Sequence, residues 1–304
     1  MSLLAPHMLA YWILALLAFA ANSVLCRLAL SSANIDPASF TAIRLLSGAV
    51  TLVVILLFRQ WRSSKPPLVT ISEQSKNRGS WAGALSLFVY AVGFSYAYIE
   101  LDTGTGALIL FASVQFSMIA YGLFKGERLN LVQWCGLAAA FAGLLFLLYP
   151  TISTPTLTGA LLMLCAGLAW GIYSILGKQS QDALSDTAFN FARSTLLVAI
   201  LAIAAFSQAN FNEYGLILAI ASGALASGIG YAIWYSVLPT LSAMSAAVSQ
   251  LTVPIIAALG GLIVVNEGIS LRLVIASVCV LGGVFIVLKY KTRRVESFQH
   301  NRQH

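Results

Sequence analysis

A chain of 304 residues and 32.4 kDa, 59% hydrophobic, only 9% charged and of mean hydropathy +0.87, cannot cover a water-facing surface, which takes about a quarter charged residues. That balance excludes an ordinary soluble enzyme, a disordered chain and a polybasic nucleic-acid arm, and leaves the lipid bilayer as solvent. The net charge of +7 does not call for nucleic acid, because the basic residues stand at the ends of apolar runs rather than on one face.

A bilayer core of about 30 Å takes about 20 apolar residues per helix, since every backbone N–H and C=O must be satisfied within the segment. The sequence predicts ten such spans: 8–28, 38–58, 80–99, 104–123, 130–149, 158–177, 187–206, 215–234, 243–264 and 271–289. No Lys or Arg precedes the first, and further spans follow it, so it reads as a retained helix rather than a cleaved signal peptide. Ten spans put both termini on one side. With the termini in the cytoplasm, only Arg27, Arg44 and Arg272 of the 17 Lys and Arg fall outside, in keeping with the positive-inside rule. Segment 59–79, with Pro66, Pro67 and mixed charge, reads as a solvated linker.

Cys26, Cys135, Cys165 and Cys279 all lie in apolar runs with no C-x-x-C spacing, so neither disulfides nor a zinc site is indicated. His7, His300 and His304 stand at the termini, which leaves no internal imidazole. With no phosphate-binding glycine loop and no nucleophile–base constellation, the chain is expected to be no enzyme and to need no metal or cofactor.

The chain echoes itself. Ser23-Val24-Leu25-Cys26-Arg27 resembles Ser174-Ile175-Leu176-Gly177-Lys178; Asp36 followed by Arg44 returns as Asp186 followed by Arg193; Gly126-Glu127-Arg128-Leu129 returns as Asn266-Glu267-Gly268-Ile269, each ahead of a last span with a late glycine, Gly143 or Gly283. Two five-span halves emerge, 1–150 and 151–304, the second ending in a short basic tail. Five is odd, so the second half enters the membrane with opposite orientation. That inverted design permits alternating access to a site near the midplane.

The run Asn22 to Arg27, then Pro37 and Arg44, then the small-residue span 104–123 closing in Gly126-Glu127-Arg128-Leu129, resembles the EamA-type repeat of the drug/metabolite transporter superfamily. Trp170 through Lys178 and Arg193 to Pro254 and Glu267 resembles it again. The resemblance implies an all-α membrane protein, a ten-helix secondary transporter of the inner membrane, commonly exporting amino acids or other small metabolites. In general layout it is similar to the aromatic amino acid exporter branch.

Candidate site residues follow from what is costly in lipid. Pro254 removes a backbone donor and frees the carbonyl of Gln250, so that carbonyl and the Gln250 side chain face substrate unless Ser249 or Thr252 repairs the kink. Ser242, Ser245, Ser249 and Thr252 form one polar stripe, either a cavity wall or a packing seam. Phe111 and Gln115 lie one turn apart in the fourth span, and a mid-depth glutamine belongs against the protein interior or a cavity. The small residues Ala219, Gly223, Ser227, Ala224 and Gly228 let the eighth span approach a neighbour closely. Tyr96, Tyr98, Trp234 and Tyr235 sit at span ends, where interfacial belts explain them. Tyr90, Trp170, Tyr173 and Tyr231 lie deeper, as does Asn22, and either line a cavity for an apolar or aromatic substrate or pack the core.

None of the ten carboxylates is predicted at mid-span. The small multidrug relatives carry a glutamate in their first span, where this chain has Asn22, so the resemblance points away from cationic drugs. Glu100 and Asp102 read as solvated loop acids. Arg44 and Arg193, a few residues into their spans, either snorkel to the headgroups or pair with Asp36 and Asp186. Glu127 and Glu267 read as hinge or capping residues. The expectation is a transporter that moves a small neutral or zwitterionic metabolite outward; a proton-coupled cation antiporter and a pore or scaffold are the alternatives, and no oligomeric state is indicated.

Overall fold

The computed structural model describes residues 6–62, 78–126, 128–149, 155–177, 180–240, 246 and 249–290. In chain order its helices are α1 (Pro6–Ser31), α2 (Pro37–Arg62), α3 (Trp81–Ala97), α4 (Thr103–Phe124), α5 (Leu131–Leu148), α6 (Leu157–Gly177), α7 (Ala183–Ala204), α8 (Glu213–Val237), α9 (Val253–Val265) and α10 (Leu271–Lys289). Eight are long and apolar enough to cross a membrane; α3 and α9 are shorter apolar helices. Within the ninth predicted span, 243–264, Ser249 and Gln250 are helical, Leu251 and Thr252 form a turn, and a further helix starts at Val253, where Pro254 lacks the N–H that would carry a helix through without a break.

Short polar residues mark where helices start. Ser80, Asn130, Asp182, Asn212 and Ser270 each accept the backbone N–H three residues on, and Asp36 accepts that of Ser39, satisfying donors that a helix leaves orphaned. At α5 the cap is reciprocal, with the Gln133 side chain accepting from the Asn130 N–H.

The polarity is that of a membrane protein. On α2, Leu46, Val50, Val54 and Leu57 are exposed while Thr41, Arg44 and Ala49 are buried. Outward apolar and inward polar faces suit a lipid surround.

Helix packing has a pattern. The principal neighbours of α1 are α8 and α9, while those of α6 are α3 and α4; α2 packs on α7 and α8, α7 on α2 and α3, and α5 on α10. Exchanging each helix for the one five places along maps these pairs onto one another. The loops repeat the exchange: the Asp36 carboxylate accepts the Asn210 N–H ahead of α8 at 3.0 Å, and the Asp186 carboxylate accepts the Gly79 N–H ahead of α3 at 2.8 Å. The echoed residues Gly126 and Asn266 both have left-handed backbones, φ 85° and 60°.

The Asp36 contact is pH-sensitive. Burial alone would raise this carboxyl, but bonds from Ser39 and Asn210 outweigh it and hold the group below its ordinary range. A depressed folded-state value means the contact is intact at neutral pH and is lost as pH falls through that lowered value. Amide-exchange protection at 209–212, corrected for the intrinsic rate at each pH, is expected to fall as the solution is acidified below the ordinary carboxylate range, and Asp36→Asn should abolish that acid step.

Close approach between α2 and α8 depends on Gly223, where a Cβ would collide with the Arg44 carbonyl and the Ser47 hydroxyl. This contact lies where α8 carries a π-helical segment, Ser222–Ile229. Gly223→Ala is expected to cost about 1–3 kcal/mol, seen as a lower Tm in detergent.

Candidate functional site

A cavity of about 760 Å³ runs into the helix bundle, within the range that holds a small organic molecule. Its deep walls come from α1 (Phe19, Asn22), α3 (Tyr90, Phe94), α4 (Phe111, Gln115), α6 (Trp170, Tyr173) and α8 (Tyr231, Trp234), with Gln250 ahead of α9. The mouth is polar: Arg59, Gln181 and Ser236 are exposed there, beside Asp182. Trp170 is the hub of the aromatic wall. Its ring centroid lies 4.8 Å from Tyr90, 5.3 Å from Tyr173 and 5.4 Å from Tyr231, stacked on the last two.

A hydrogen-bonded chain drawn from four helices adjoins these rings. The Ser222 hydroxyl donates to the Asn22 carbonyl oxygen at 2.6 Å, the Asn22 amide donates to the Tyr90 hydroxyl at 3.3 Å, and Arg44 donates to that same hydroxyl at 3.0 Å. Further toward the mouth, Tyr173 donates to Thr187 at 3.1 Å and Thr187 to Tyr235 at 3.3 Å. Gln115 is 2% exposed and is one of the residues lining the cavity.

The two ends of the helix bundle differ. At the mouth, Arg59 forms a bidentate pair with Asp182, the N-cap of α7. Burial would raise Asp182, but the Arg59 guanidinium and nearby backbone donors hold its carboxyl below the usual range. At the far end, Arg27 of α1 donates to Glu267 at 2.7 Å and to the carbonyls of Tyr98 and Ile99, at 3.1 and 2.8 Å. The second Glu267 oxygen accepts the Thr103 N–H at 2.8 Å, so a residue following α9 caps α4. Asp102 stands 3.4 Å from Arg27; burial and the Glu267 charge push its carboxyl up, against the pull of Arg27. This knot joins α1, the α3–α4 turn and the segment after α9.

The model of the EamA-like transporter family matches residues 7–149 and, a second time, residues 157–289. The chain belongs to the EamA-like transporter family. A protein of Pseudomonas aeruginosa with no assigned activity is 49% identical over 276 residues, covering 91% of this chain and 92% of its own. A probable terminal-alkyne amino-acid exporter of Streptantibioticus cattleyicolor is 24% identical over 180 residues, covering 58% of this chain and 60% of its own. A solved crystal structure shares the fold, with TM-score 0.63 over 91% of this chain and 98% of that one at 17% identity.

In this EamA-like transporter Asn22, Tyr90, Phe111, Gln115, Trp170, Tyr173, Tyr231 and Gln250 all line the one cavity. Ser249 is not among its lining residues; its hydroxyl donates to the Ala246 carbonyl. Next to Pro254, the Thr252 hydroxyl donates to the Ser249 carbonyl at 2.7 Å, a local repair of the break. Glu127, Lys178, Ser242 and Ser245 lie outside the described residues.

Three readings need correction. Tyr98 and Trp234 are not interfacial belt residues: at 0% and 6% exposure they are buried, the Tyr98 hydroxyl bonded to the Thr103 carbonyl and Trp234 packed edge-on against Phe19 in the cavity wall. Arg44 neither snorkels nor pairs with Asp36; it is buried against the Tyr90 and Phe94 rings, because Asp36 is engaged at the α8 loop. Arg193 donates to the Arg78 carbonyl at 2.6 Å, while Asp186 holds Gly79 and Ser180. Both members of that expected pair bind the neighbouring loops instead of each other. The wall residues Phe19 and Phe94 escaped the sequence reading, which assigns Trp234 to a belt although it follows Tyr231 at the helical interval of three.

Proposed function

We propose that this chain spans the inner membrane ten times, with both termini in the cytoplasm, as two oppositely oriented five-helix repeats, 1–150 and 151–304. It exports a small neutral or zwitterionic metabolite of the amino-acid class by alternating access. The observation that carries this reading is one cavity, walled by helices of both halves and lined at its mouth by Arg59 and Asp182; we take the Arg27–Glu267 pair, on the opposite end of α1 from the mouth, to close the other side. On the proposed orientation the mouth faces the cytoplasm, the side from which an exporter loads.

The doubled family match, the exchange-symmetric packing and the reciprocal Asp36 and Asp186 contacts support the repeat. The amino-acid class draws support from the exporter named among the relatives and from the mixture of stacked rings with amide and hydroxyl groups. Among the described lining residues the only acid is Asp182, already paired at the mouth, which leaves a cationic drug without a deep counter-charge.

Reconstitution into liposomes with a panel of amino acids and related metabolites tests the reading. Saturable counterflow is expected for at least one, and Gln115→Ala should weaken its apparent affinity about tenfold, the loss of a hydrogen bond inside a dry site. Flux that never saturates would identify a pore instead.

A further inference from the structure

Arg44 presents a problem that the fold alone does not solve. It is 2% exposed, and among the described residues only one of its three guanidinium nitrogens has a partner, the Tyr90 hydroxyl at 3.0 Å; Nε and the other terminal nitrogen are buried and find none there. The ion pairs seen among the described residues, Arg27 with Asp102 and Glu267 and Arg59 with Asp182, all lie toward helix ends. A cation kept in an apolar bundle without a counter-charge is strongly disfavoured, and such residues mark ligand or ion paths.

The cation lies directly behind the cavity wall. Its guanidinium carbon sits 5.2 Å from the Tyr90 ring centre and 4.8 Å from that of Phe94, and both rings line the cavity. The Tyr90 hydroxyl accepts from Arg44 and also from the Asn22 amide. With both lone pairs taken, its own hydrogen is left to donate. A phenol that accepts from a guanidinium is a strengthened donor, because the positive charge draws electron density from the oxygen.

Resting on the reading of this cavity as the substrate site, we infer that Tyr90 and Arg44 form a carboxylate-binding subsite, Tyr90 donating directly and Arg44 supplying the compensating charge from behind it. Within the zwitterionic class the preferred ligand sets its carboxylate on Tyr90 and an apolar or aromatic body against Trp170. An ammonium group gains no such charged partner: among the described deep lining residues it meets neutral amides, hydroxyls and ring faces but no carboxylate.

Three probes with the same body and different heads test this on the full chain in nanodiscs by calorimetry: 3-phenylpropanoate, 3-phenylpropanamide and 3-phenylpropylamine. The acid is expected to bind at least about tenfold more tightly than the amide, and the amine most weakly. Tyr90→Phe should weaken the acid about tenfold and the amide less than twofold, and Arg44→Gln should erase the preference between them. Tyr90→Phe keeps the ring, so its result stands even if the Arg44 variant fails to fold. Equal binding of acid and amide by the natural protein, equal losses for both in Tyr90→Phe, or no binding of the acid would each overturn the subsite. Counterflow in liposomes separates the two claims: acid preference without any counterflow refutes transport and leaves the subsite standing, whereas counterflow of amide and acid alike refutes the subsite alone.

Discussion

Trp170→Ala is expected to raise the KM of counterflow about 30-fold or more, with the protein still folded. Trp170 touches three tyrosines from α3, α6 and α8 at once, so its loss removes the surface that orders the rest of the wall. Central aromatic anchors of this kind carry about 2 kcal/mol or more of binding, which is the 30-fold change. Trp170→Phe retains part of the stack and should lose several-fold less. A saturation series on both variants checks the order, and an alanine variant with the natural KM would show that substrate does not lie against this ring.

Glu267→Ala is expected to open the far end of the cavity. Arg27 and Glu267 are 14% and 12% exposed, half-sheltered from the screening that makes surface pairs weak, and Glu267 also caps α4 through Thr103. Removing it strands a sheltered cation and an orphaned helix donor, a loss of about 2 kcal/mol that falls only on the conformation closed at this end. That shifts the balance between conformations about 30-fold. Cys26, fully buried one residue before Arg27, is a native reporter: with Cys135, Cys165 and Cys279 replaced, its reaction with an impermeant maleimide should accelerate at least about tenfold in Glu267→Ala. Glu267→Gln keeps an acceptor for Thr103 and should give a smaller rise. An unchanged rate in the alanine variant would mean that the pair does not hold this end shut.

Much of this organisation was legible in the sequence because lipid makes rules strict. An apolar stretch as long as 131–148 has few other meanings in a chain with so little charge. The deep polar and aromatic residues were legible for the same reason: Asn22, Gln115 and Trp170 cannot face hydrocarbon without cost. Depth, however, is not direction. Tyr98 and Trp234 look like belt residues by their distance from a span end, yet the packing of α3 and α8 turns them inward. Arg44 looked close enough to the surface to snorkel, and only the placement of α3 beside α2 shows two rings closing over it. Asp36 and Asp186 illustrate a further limit. Their partners, Asn210 and Gly79, lie 174 and 107 residues away, and no local spacing announces a contact made across the two halves.

On the proposed mechanism the two sides of the bundle open to the cavity in alternation. In a background without the native cysteines, spin labels at Ile99→Cys and Gly268→Cys span the far end, and labels at Arg62→Cys and Gln181→Cys span the mouth. Distance distributions for both pairs should show two populations, with the wide state of one matching the narrow state of the other in abundance, and Glu267→Ala should move the two in opposite directions. Ends that widen together, or a far end that keeps one fixed distance when Glu267 is removed, would contradict the account.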